Sequence, residues 1–121
     1  MSTQAERAVA CKHWEWMPGM LTTRGHRVIA LRRFEPPMAC AATGHIKWDG
    51  ALELPDFTDP VTAAALLPMV RKAYGDDDAS CRRYWLGRRA AWRVVGMLGD
   101  WLGDSCETEI DALLSALEAA P

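Results

Sequence analysis

The sequence predicts an α+β domain, with a small antiparallel sheet of three to five strands and N-terminal, central and C-terminal helices packed mainly on one face. Two observations predict this class. Helix-capping patterns occur near the start, the middle and the end of the chain, and strand-like runs follow the first of them. No alternation of strand and helix indicates a parallel sheet. The 121 residues fit a single domain over residues 1–121, and the hydrophobic half of the chain suffices for one core.

The first helix is predicted from about residue 4 to Trp16. Thr3 and Glu6 have the spacing of a capping box, in which each side chain accepts a hydrogen bond from an otherwise free amide at the start of the helix. Pro18 and Gly19 then stop the helix, because proline lacks the amide that a helix needs and glycine favours turns.

The region from residue 20 to residue 54 predicts strands. Residues 28–31 form a short apolar run, and Gly25 allows a turn back to residues 20–23. A hairpin with a three-residue loop at residues 49–51 is expected next, because a two-residue turn would mix charged and apolar side chains on one face. With the longer loop the apolar side chains share a face: Ile46, Trp48, Leu52 and Leu54.

Asp59 and Pro60 predict the start of the central helix, over residues 60–74. The carboxylate can cap free amides, and proline at the first helical position has no amide to leave unsatisfied. Pro68 lies inside this helix, where we expect it on the outer, convex face as a kink. Gly75 is expected to end the helix.

The last helix is predicted over residues 108–119. Thr108 and Asp111 form a second capping box. Apolar side chains then recur at the i, i+3, i+4 and i+7 spacing of one helix face: Ile110, Leu113, Leu114 and Leu117.

Residues 82–93, RRYWLGRRAAWR, combine five arginines with three large aromatic side chains. Residues 80–98 can be interpreted as a helix, with Ala91, Val94, Val95 and Leu98 as its apolar stripe, or as a strand. Several glycines weaken a long helix, so we favour a strand from about Ala91 to Leu98, preceded by a loop or a short helical turn. The weakening glycines are Gly87, Gly96, Gly99 and Gly103.

This stretch supplies the candidate site. Tryptophan and arginine dominate the energetics of protein interfaces, so we predict a partner-binding surface formed by Arg82, Arg83, Trp85, Arg88 and Arg89. The four arginines are expected to be exposed and Trp92 to pack in the core. Two alternatives remain open. Arginines and aromatics also suit nucleic acid, through phosphate contacts and base stacking. Alternatively, the stretch is structural, with its arginines paired to Asp76–Asp78 or to the acidic C-terminal residues.

Charge and composition exclude several functions. The net charge is −2, and all 14 lysines and arginines lie at or before Arg93, whereas the last 28 residues carry six acids. A computed pI near 5.9 is unlike that of a globally basic nucleic-acid-binding domain. The sequence has no catalytic, phosphate-binding or zinc-binding motif, so we expect no enzymatic activity, no cofactor and no metal.

The four cysteines, Cys11, Cys40, Cys81 and Cys106, are evenly spread and are expected to be reduced thiols. Neither a signal peptide nor an apolar run long enough for a membrane span is evident in the sequence. We therefore expect a cytoplasmic protein with no membrane association.

Three segments resemble small accessory proteins encoded by phages and prophages of proteobacteria. They are residues 54–76 (LPDFTDPVTAAALLPMVRKAYGD), residues 14–20 (WEWMPGM) and residues 107–121 (ETEIDALLSALEAAP), just over a third of the chain. The resemblance implies a phage-associated product, and some such proteins, the anti-CRISPR proteins among them, occlude a host defence machine.

The sequence thus leads to a functional hypothesis with one alternative. The expected function is non-enzymatic, stoichiometric binding to a host protein or protein complex, with inhibition of a host defence complex by analogy. The alternative is a small nucleic-acid-associated regulator that uses residues 82–93. Neither the partner, the host nor the oligomeric state follows from the sequence.

Overall fold

The computed structural model describes residues 3–30, 38–41, 44–46 and 54–121, and the chain groups into two compact units. One unit comprises Met1–Val9 with Glu15–Ala65, and the other comprises Ala10–Trp14 with Leu66–Pro121. Helices and antiparallel strands both occur in the described residues, so the α+β class is confirmed. A single domain over residues 1–121 remains a prediction.

The structure describes four helices and six strands in the residues given above. In chain order they are α1 (Gln4–Ala10), β1 (Arg27–Ala30), β2 (Met38–Ala41), β3 (Gly44–Ile46), α2 (Pro60–Ala64), α3 (Leu66–Tyr74), β4 (Ser80–Leu86), β5 (Arg89–Val95), β6 (Trp101–Cys106) and α4 (Glu109–Ala119). The first three strands form one antiparallel sheet in the order β1-β2-β3, and the last three form another in the order β4-β5-β6.

α1 begins as predicted and ends earlier than predicted. The Glu6 amide donates to Thr3 Oγ1 at 3.1 Å, and the Thr3 amide donates to Glu6 Oε1 at 3.3 Å, so the capping box is confirmed. The predicted end at Trp16 is wrong, because α1 ends at Ala10. Residues 11–16 include cysteine, histidine and two tryptophans, which favour helix weakly, and a turn closed by the Trp14 amide on the Cys11 carbonyl follows instead.

The strand prediction at residues 28–31 is confirmed within the described residues by β1, which spans Arg27–Ala30. Gly25 has a φ of +81° and reverses the chain, so that the Val28 amide donates to the Met20 carbonyl at 2.8 Å. Met20 and Val28 are both buried. The hairpin register predicted around residues 49–51 lies outside the described residues.

A hydrogen-bonded group centred on Asp59 joins β1 to the start of α2. Asp59 Oδ2 accepts from the Thr62 amide at 3.1 Å and from Thr62 Oγ1 at 2.9 Å, so Asp59 caps α2 as predicted. Arg27 donates to both carboxylate oxygens, at 3.3 and 3.4 Å. The buried Thr62 hydroxyl also accepts from the Leu21 amide at 2.8 Å. One carboxylate therefore organises three separate segments of the first unit.

We expect Asp59→Ala to lower the free energy of unfolding by about 2 kcal/mol, because it removes a helix cap and the partner of an arginine. The Arg27 hydrogen bond holds the pKa of Asp59 below 3.8. The stabilisation is therefore fully present above pH 3.8 and is lost as the pH falls through the lower pKa of the folded state. Urea unfolding at pH 7 and pH 3 measures both effects. Asp77→Ala, at an exposed position, is the control and should change neither value appreciably.

The predicted single helix over residues 60–74 is wrong. The structure has two helices, α2 and α3, with a break at Ala65, whose amide donates to the Thr62 carbonyl. The break places Pro68 in the first turn of α3, where a residue without an amide leaves no helical hydrogen bond unmade. Gly75, with a φ of +64°, ends α3 as predicted, and the Asp76 amide donates back to the Arg71 carbonyl.

The arginine-rich stretch forms a hairpin of two strands, β4 and β5. The preference for strand over helix is confirmed, but the predicted bounds of 91–98 are wrong, and the residues before them form β4 rather than a loop or a helical turn. Gly87 has a φ of +60° at the first central position of the two-residue turn, which only glycine adopts readily there. β6 follows after a turn at residues 96–100 and was not predicted.

α4 packs against the β4-β5-β6 sheet and contacts α3, which closes the core of the second unit. Its predicted capping box is confirmed, since the Asp111 amide donates to Thr108 Oγ1 at 3.1 Å. The core consists of side chains from both helices and the sheet: Leu66, Met69, Val70, Val94, Leu102, Leu113, Leu114 and Leu117. Ile110, which the stripe also predicted, is half-buried.

α4 approaches β6 closely at Gly103. A Cβ atom added to Gly103 would lie 2.6 Å from the Ala116 amide nitrogen and 2.7 Å from the Ala116 Cα atom, both backbone atoms of the helix. The φ of Gly103 is +77°, in a part of β6 where the register with β5 is irregular. Both its conformation and the space around it require glycine.

We expect Gly103→Ala to lower the free energy of unfolding by at least about 3 kcal/mol, because the helix backbone must move as well as the strand conformation. Gly87→Ala is the matched control. Gly87 has a similar φ, but a Cβ atom there meets nothing within 4 Å. Gly87→Ala should therefore lower the free energy of unfolding only through backbone strain, by about 1–2 kcal/mol. Equal losses in urea unfolding would show that the approach of α4 to Gly103 does not limit stability.

Candidate functional site

The β4-β5-β6 sheet has two sides, of which α4 packs against one. Paired residues of an antiparallel sheet point to the same side, and the pairs Cys81–Val94 and Val94–Leu102 include the buried positions on the side where α4 packs. The opposite side carries Arg82, Tyr84, Arg93, Trp101 and Ser105, which we call the open face. α4 therefore stabilises the sheet from one side and leaves the open face outside the core.

The open face is an ordered cluster of aromatic and arginine side chains. The Tyr84 and Trp101 rings lie 5.8 Å apart between centroids, tilted by 44°. The Arg93 guanidinium lies 4.7 Å from the centroid of the Trp101 ring, a distance typical of a cation–π contact. The Tyr84 hydroxyl is hydrogen-bonded to the hydroxyl of Ser105. These contacts hold large side chains in fixed positions on an exposed surface.

The open face is tied to the α4 contact through a single backbone carbonyl. Arg93 Nε donates to the Gly103 carbonyl oxygen at 3.1 Å, and the backbone of Gly103 lies against α4. The neighbouring Asp104 amide donates to Ser115 Oγ of the helix at 2.9 Å. The position of Arg93, and of Trp101 beneath it, therefore depends on how α4 packs on the other side of the sheet.

Exposure on the open face is high for large side chains. Trp101 is 54% exposed, although tryptophan is among the side chains that gain most from burial. Arg82 is exposed and donates to Ser80 Oγ at 3.2 Å, whereas Tyr84 and Arg93 are half-buried. An exposed tryptophan in contact with an arginine and a tyrosine combines residue types that are frequent at protein interfaces.

The five residues predicted to bind a partner are divided between two places. Arg82 lies on the open face. The other four, Arg83, Trp85, Arg88 and Arg89, lie with Leu86 around the β4–β5 turn, and we call these five residues the basic end. All four predicted arginines are exposed, as expected. The Arg83 guanidinium lies 5.0 Å from the centroid of the Trp85 ring, and Trp85 is 64% exposed.

One expectation about this stretch is wrong, and the structural alternative, in which its arginines pair with acids, holds within the described residues only for one C-terminal acid. Trp92 is half-buried rather than in the core, because it pairs with Cys106, only three residues before α4 begins, at the margin of the area that the helix covers. The arginines of the basic end do not pair with Asp76–Asp78, which lie before the first residue of β4, at the opposite end of the sheet. Arg89 instead lies 3.9 Å from Glu107, with both side chains at least 85% exposed.

Sequence reasoning missed the part that Arg93 and Trp101 play in the site. Trp101 was not assigned to a strand, because Gly99 and Asp100 indicated only a turn and the following residues, LGDSC, lack strand-like alternation. The one available signal was Gly87 between two runs of aromatic and β-branched residues, which predicts a hairpin. A hairpin would have indicated that alternate residues of the stretch face opposite sides.

The described residues were also compared with the requirements of metal ions and of small ligands. No group of three or more histidine, cysteine, aspartate or glutamate side chains in that part of the chain could hold a metal ion. A cavity of about 400 Å³ in the first unit is lined by Thr3, Glu6, Asp56, Thr58 and neighbouring residues. Its polar side chains are already hydrogen-bonded to one another, Thr3 with Glu6 and Asp56 with Thr58.

Comparison of the chain with protein-family models, with curated proteins and with solved structures found no match. No helix in the described part of the chain has both the length and the apolar character that crossing a bilayer requires. The fold and the site therefore define a small α+β protein with an exposed aromatic and arginine surface.

Cys81 lies on the covered side of the sheet, and its thiol is half-buried. Burial, followed by the negative charge of Glu109 and the neighbouring Cys106, raises the pKa of Cys81 from 9.0 to about 12. The thiol therefore stays protonated and unreactive at neutral pH.

We expect Cys81 in the folded protein to be alkylated about a thousand times more slowly at pH 8 than an ordinary thiol, because the thiolate fraction falls by that factor. Peptide mapping after iodoacetamide treatment measures the rate of alkylation. Unfolding in urea should raise this rate to that of an ordinary thiol. Between pH 9 and about 12 the folded state keeps a proton that the unfolded state loses, so stability should fall as the pH rises through that window. Cys81→Ala should flatten this part of the profile.

Proposed function

We propose that the protein acts without catalysis, by stoichiometric binding of a partner protein to its open face. The observation that carries the proposal is the Arg93–Trp101–Tyr84 cluster, with Trp101 54% exposed. Arginine, tryptophan and tyrosine are the residue types that supply most binding energy at protein interfaces. Side chains already held in place lose little conformational freedom on binding, which favours affinity.

The charge of the open face indicates the chemistry of the partner. Arg82 and Arg93 are its charged members, so a partner surface with carboxylates next to apolar groups is complementary to it. Hydrogen bonds from guanidinium groups to carboxylates would orient the partner, and the two aromatic rings would provide the apolar contact area.

Nucleic acid is the alternative partner, because exposed aromatic rings on a sheet can stack with bases and arginines can contact phosphates. The charge balance favours a protein instead. Residues 66–121 contain seven lysines and arginines but nine acids, so this part of the chain has no overall attraction for a phosphate backbone.

The identity of the partner rests on the sequence alone. Residues 14–20, 54–76 and 107–121 resemble phage and prophage accessory proteins, which suggests a host protein as the partner and inhibition of a host defence complex as the outcome. The proposed location is correspondingly the cytoplasm of the bacterial host. An inhibitor that works by occlusion needs a binding surface and no reactive groups, and the open face meets that requirement.

We expect Trp101→Ala and Arg82→Glu each to reduce partner binding at least 30-fold, the effect of losing about 2 kcal/mol at an interface hot spot. The measurement is affinity capture from a proteobacterial lysate with quantitative mass spectrometry, followed by titration calorimetry with the captured protein. Trp85→Ala and Arg24→Glu are matched controls, because they change an equally exposed tryptophan and an exposed arginine outside the open face.

The proposal requires one partner at a fixed stoichiometry that both open-face variants lose and both controls keep. Capture that disappears after nuclease treatment would favour the nucleic-acid alternative, and a steep fall in affinity with added salt would support it. Retention of the partner by both open-face variants would place the binding surface elsewhere.

A further inference from the structure

The β4-β5-β6 sheet has ends of opposite charge. The turn between β5 and β6 and the loop that precedes β4 lie together at one end, because the Met97 amide donates to Asp76 Oδ2 at 2.9 Å. We call the residues of this end the acidic end: Asp76, Asp77, Asp78, Met97, Leu98 and Asp100. Arg71 is also near, with its Nε bonded to the Ala79 carbonyl, and four carboxylates leave this end strongly negative.

The two ends are too far apart to neutralise each other within one chain. β5 spans seven residues between them, which is about 20 Å at the rise of an extended strand. The screening length at physiological ionic strength is only about 8 Å. Among the residues that the structure describes, the basic end, with three exposed arginines against Glu107, and the acidic end therefore each present net charge to solvent.

Each end also carries exposed apolar side chains. Trp85 and Leu86 of the basic end are 64% and 58% exposed, and Met97 and Leu98 of the acidic end are 63% and 88% exposed. Burial of apolar side chains of this size by a partner lowers the free energy and so favours association. Both ends thus combine charge with exposed apolar area, as protein interfaces do. The sign of the charge differs between the two ends.

The acidic end is held in shape before any contact is made. The Gly96 amide donates to the Asp100 carbonyl at 2.9 Å, and the Gly99 amide donates to the Gly96 carbonyl at 3.0 Å, which closes the turn. Asp76 also accepts from the Asp78 amide at 3.0 Å, so it fixes the loop and the turn together. Met97 and Leu98 therefore project from a fixed turn.

We infer that the basic end of one chain docks on the acidic end of a second copy of the same chain. Charge complementarity identifies the partner as a second copy of this chain. The acidic end has the opposite charge to the basic end and also carries exposed apolar side chains, and it is present on every molecule. The inference goes beyond the proposed function and does not depend on it. It assigns Arg83, Trp85, Arg88 and Arg89 to self-association and leaves the open face to another partner.

Contact between two different surfaces of the same molecule is head-to-tail. Each docked pair leaves one basic end and one acidic end unoccupied, so association continues to longer chains or closes into a ring. A dimer made from two copies of one surface would stop at two molecules. The two arrangements are therefore distinguishable by the way in which variants associate.

The test uses sedimentation velocity on the full chain, from micromolar to about millimolar protein. The basic-end variant is Trp85→Ser with Arg88→Ser and Arg89→Ser, and the acidic-end variant is Asp77→Ser with Asp78→Ser and Leu98→Ser. All six side chains are exposed in the structure, and circular dichroism confirms that each variant is folded. Trp101→Ala, on the open face, is the control.

We expect the wild type and Trp101→Ala to associate with rising concentration and to dissociate in about 1 M salt, where the screening length falls to about 3 Å. Each end variant alone should remain monomeric. An equimolar mixture of the two end variants should form a 1:1 dimer and nothing larger, because one intact basic end meets one intact acidic end.

Three results would overturn the inference. The first is a wild type that stays monomeric over the whole concentration range at low salt. The second is association of either end variant as strong as that of the wild type. The third is a mixture of folded end variants that stays monomeric, since a head-to-tail contact must survive in that mixture. Failure of partner capture by the open face would leave each of these results unchanged.

Discussion

The second unit depends on the absence of a side chain at Gly103. Because nothing projects from this residue, the backbone of α4 can lie against the backbone of β6, within 2.6 Å of where a Cβ atom would be. That approach allows Leu113, Leu114 and Leu117 to cover one side of a three-stranded sheet and to bury its apolar side chains. It also fixes the Gly103 carbonyl, to which Arg93 is bound on the other side of the sheet.

The same arrangement separates the packed side of the sheet from the open face. α4 covers one side of the sheet, so the Arg93–Trp101–Tyr84 cluster on the open face is supported by a core to which it contributes little. The two ends of the sheet differ from both of its sides, because their turns carry exposed apolar side chains and charges of opposite sign. One short meander of strands thus presents three surfaces, which differ in charge and in exposed apolar area.

Local rules predicted the parts of the fold in which a side chain satisfies its own backbone. Thr3, Asp59 and Thr108 cap helices as expected, and Gly75 ends one, because each depends on residues within four positions in the chain. Prediction failed where the local preference of the sequence is weak, so that contacts with other segments decide. α1 stops six residues early, the helix at 60–74 breaks so that Pro68 falls in a first turn, and β6 was not predicted because its sequence lacks alternation.

The α+β class, the three capping patterns and the exposure of Arg82, Arg83, Arg88 and Arg89 were all predictable from the amino-acid order, because charge and capping act locally. Which of these arginines lie together was not predictable in this way. Pairing of β4 with β5 moves Arg82 to one side of the sheet and Arg83 to the other, and it carries Asp76–Asp78 away from the basic end. Trp101 joins Arg93 and Tyr84 through strand register, which depends on contacts between residues far apart in the chain.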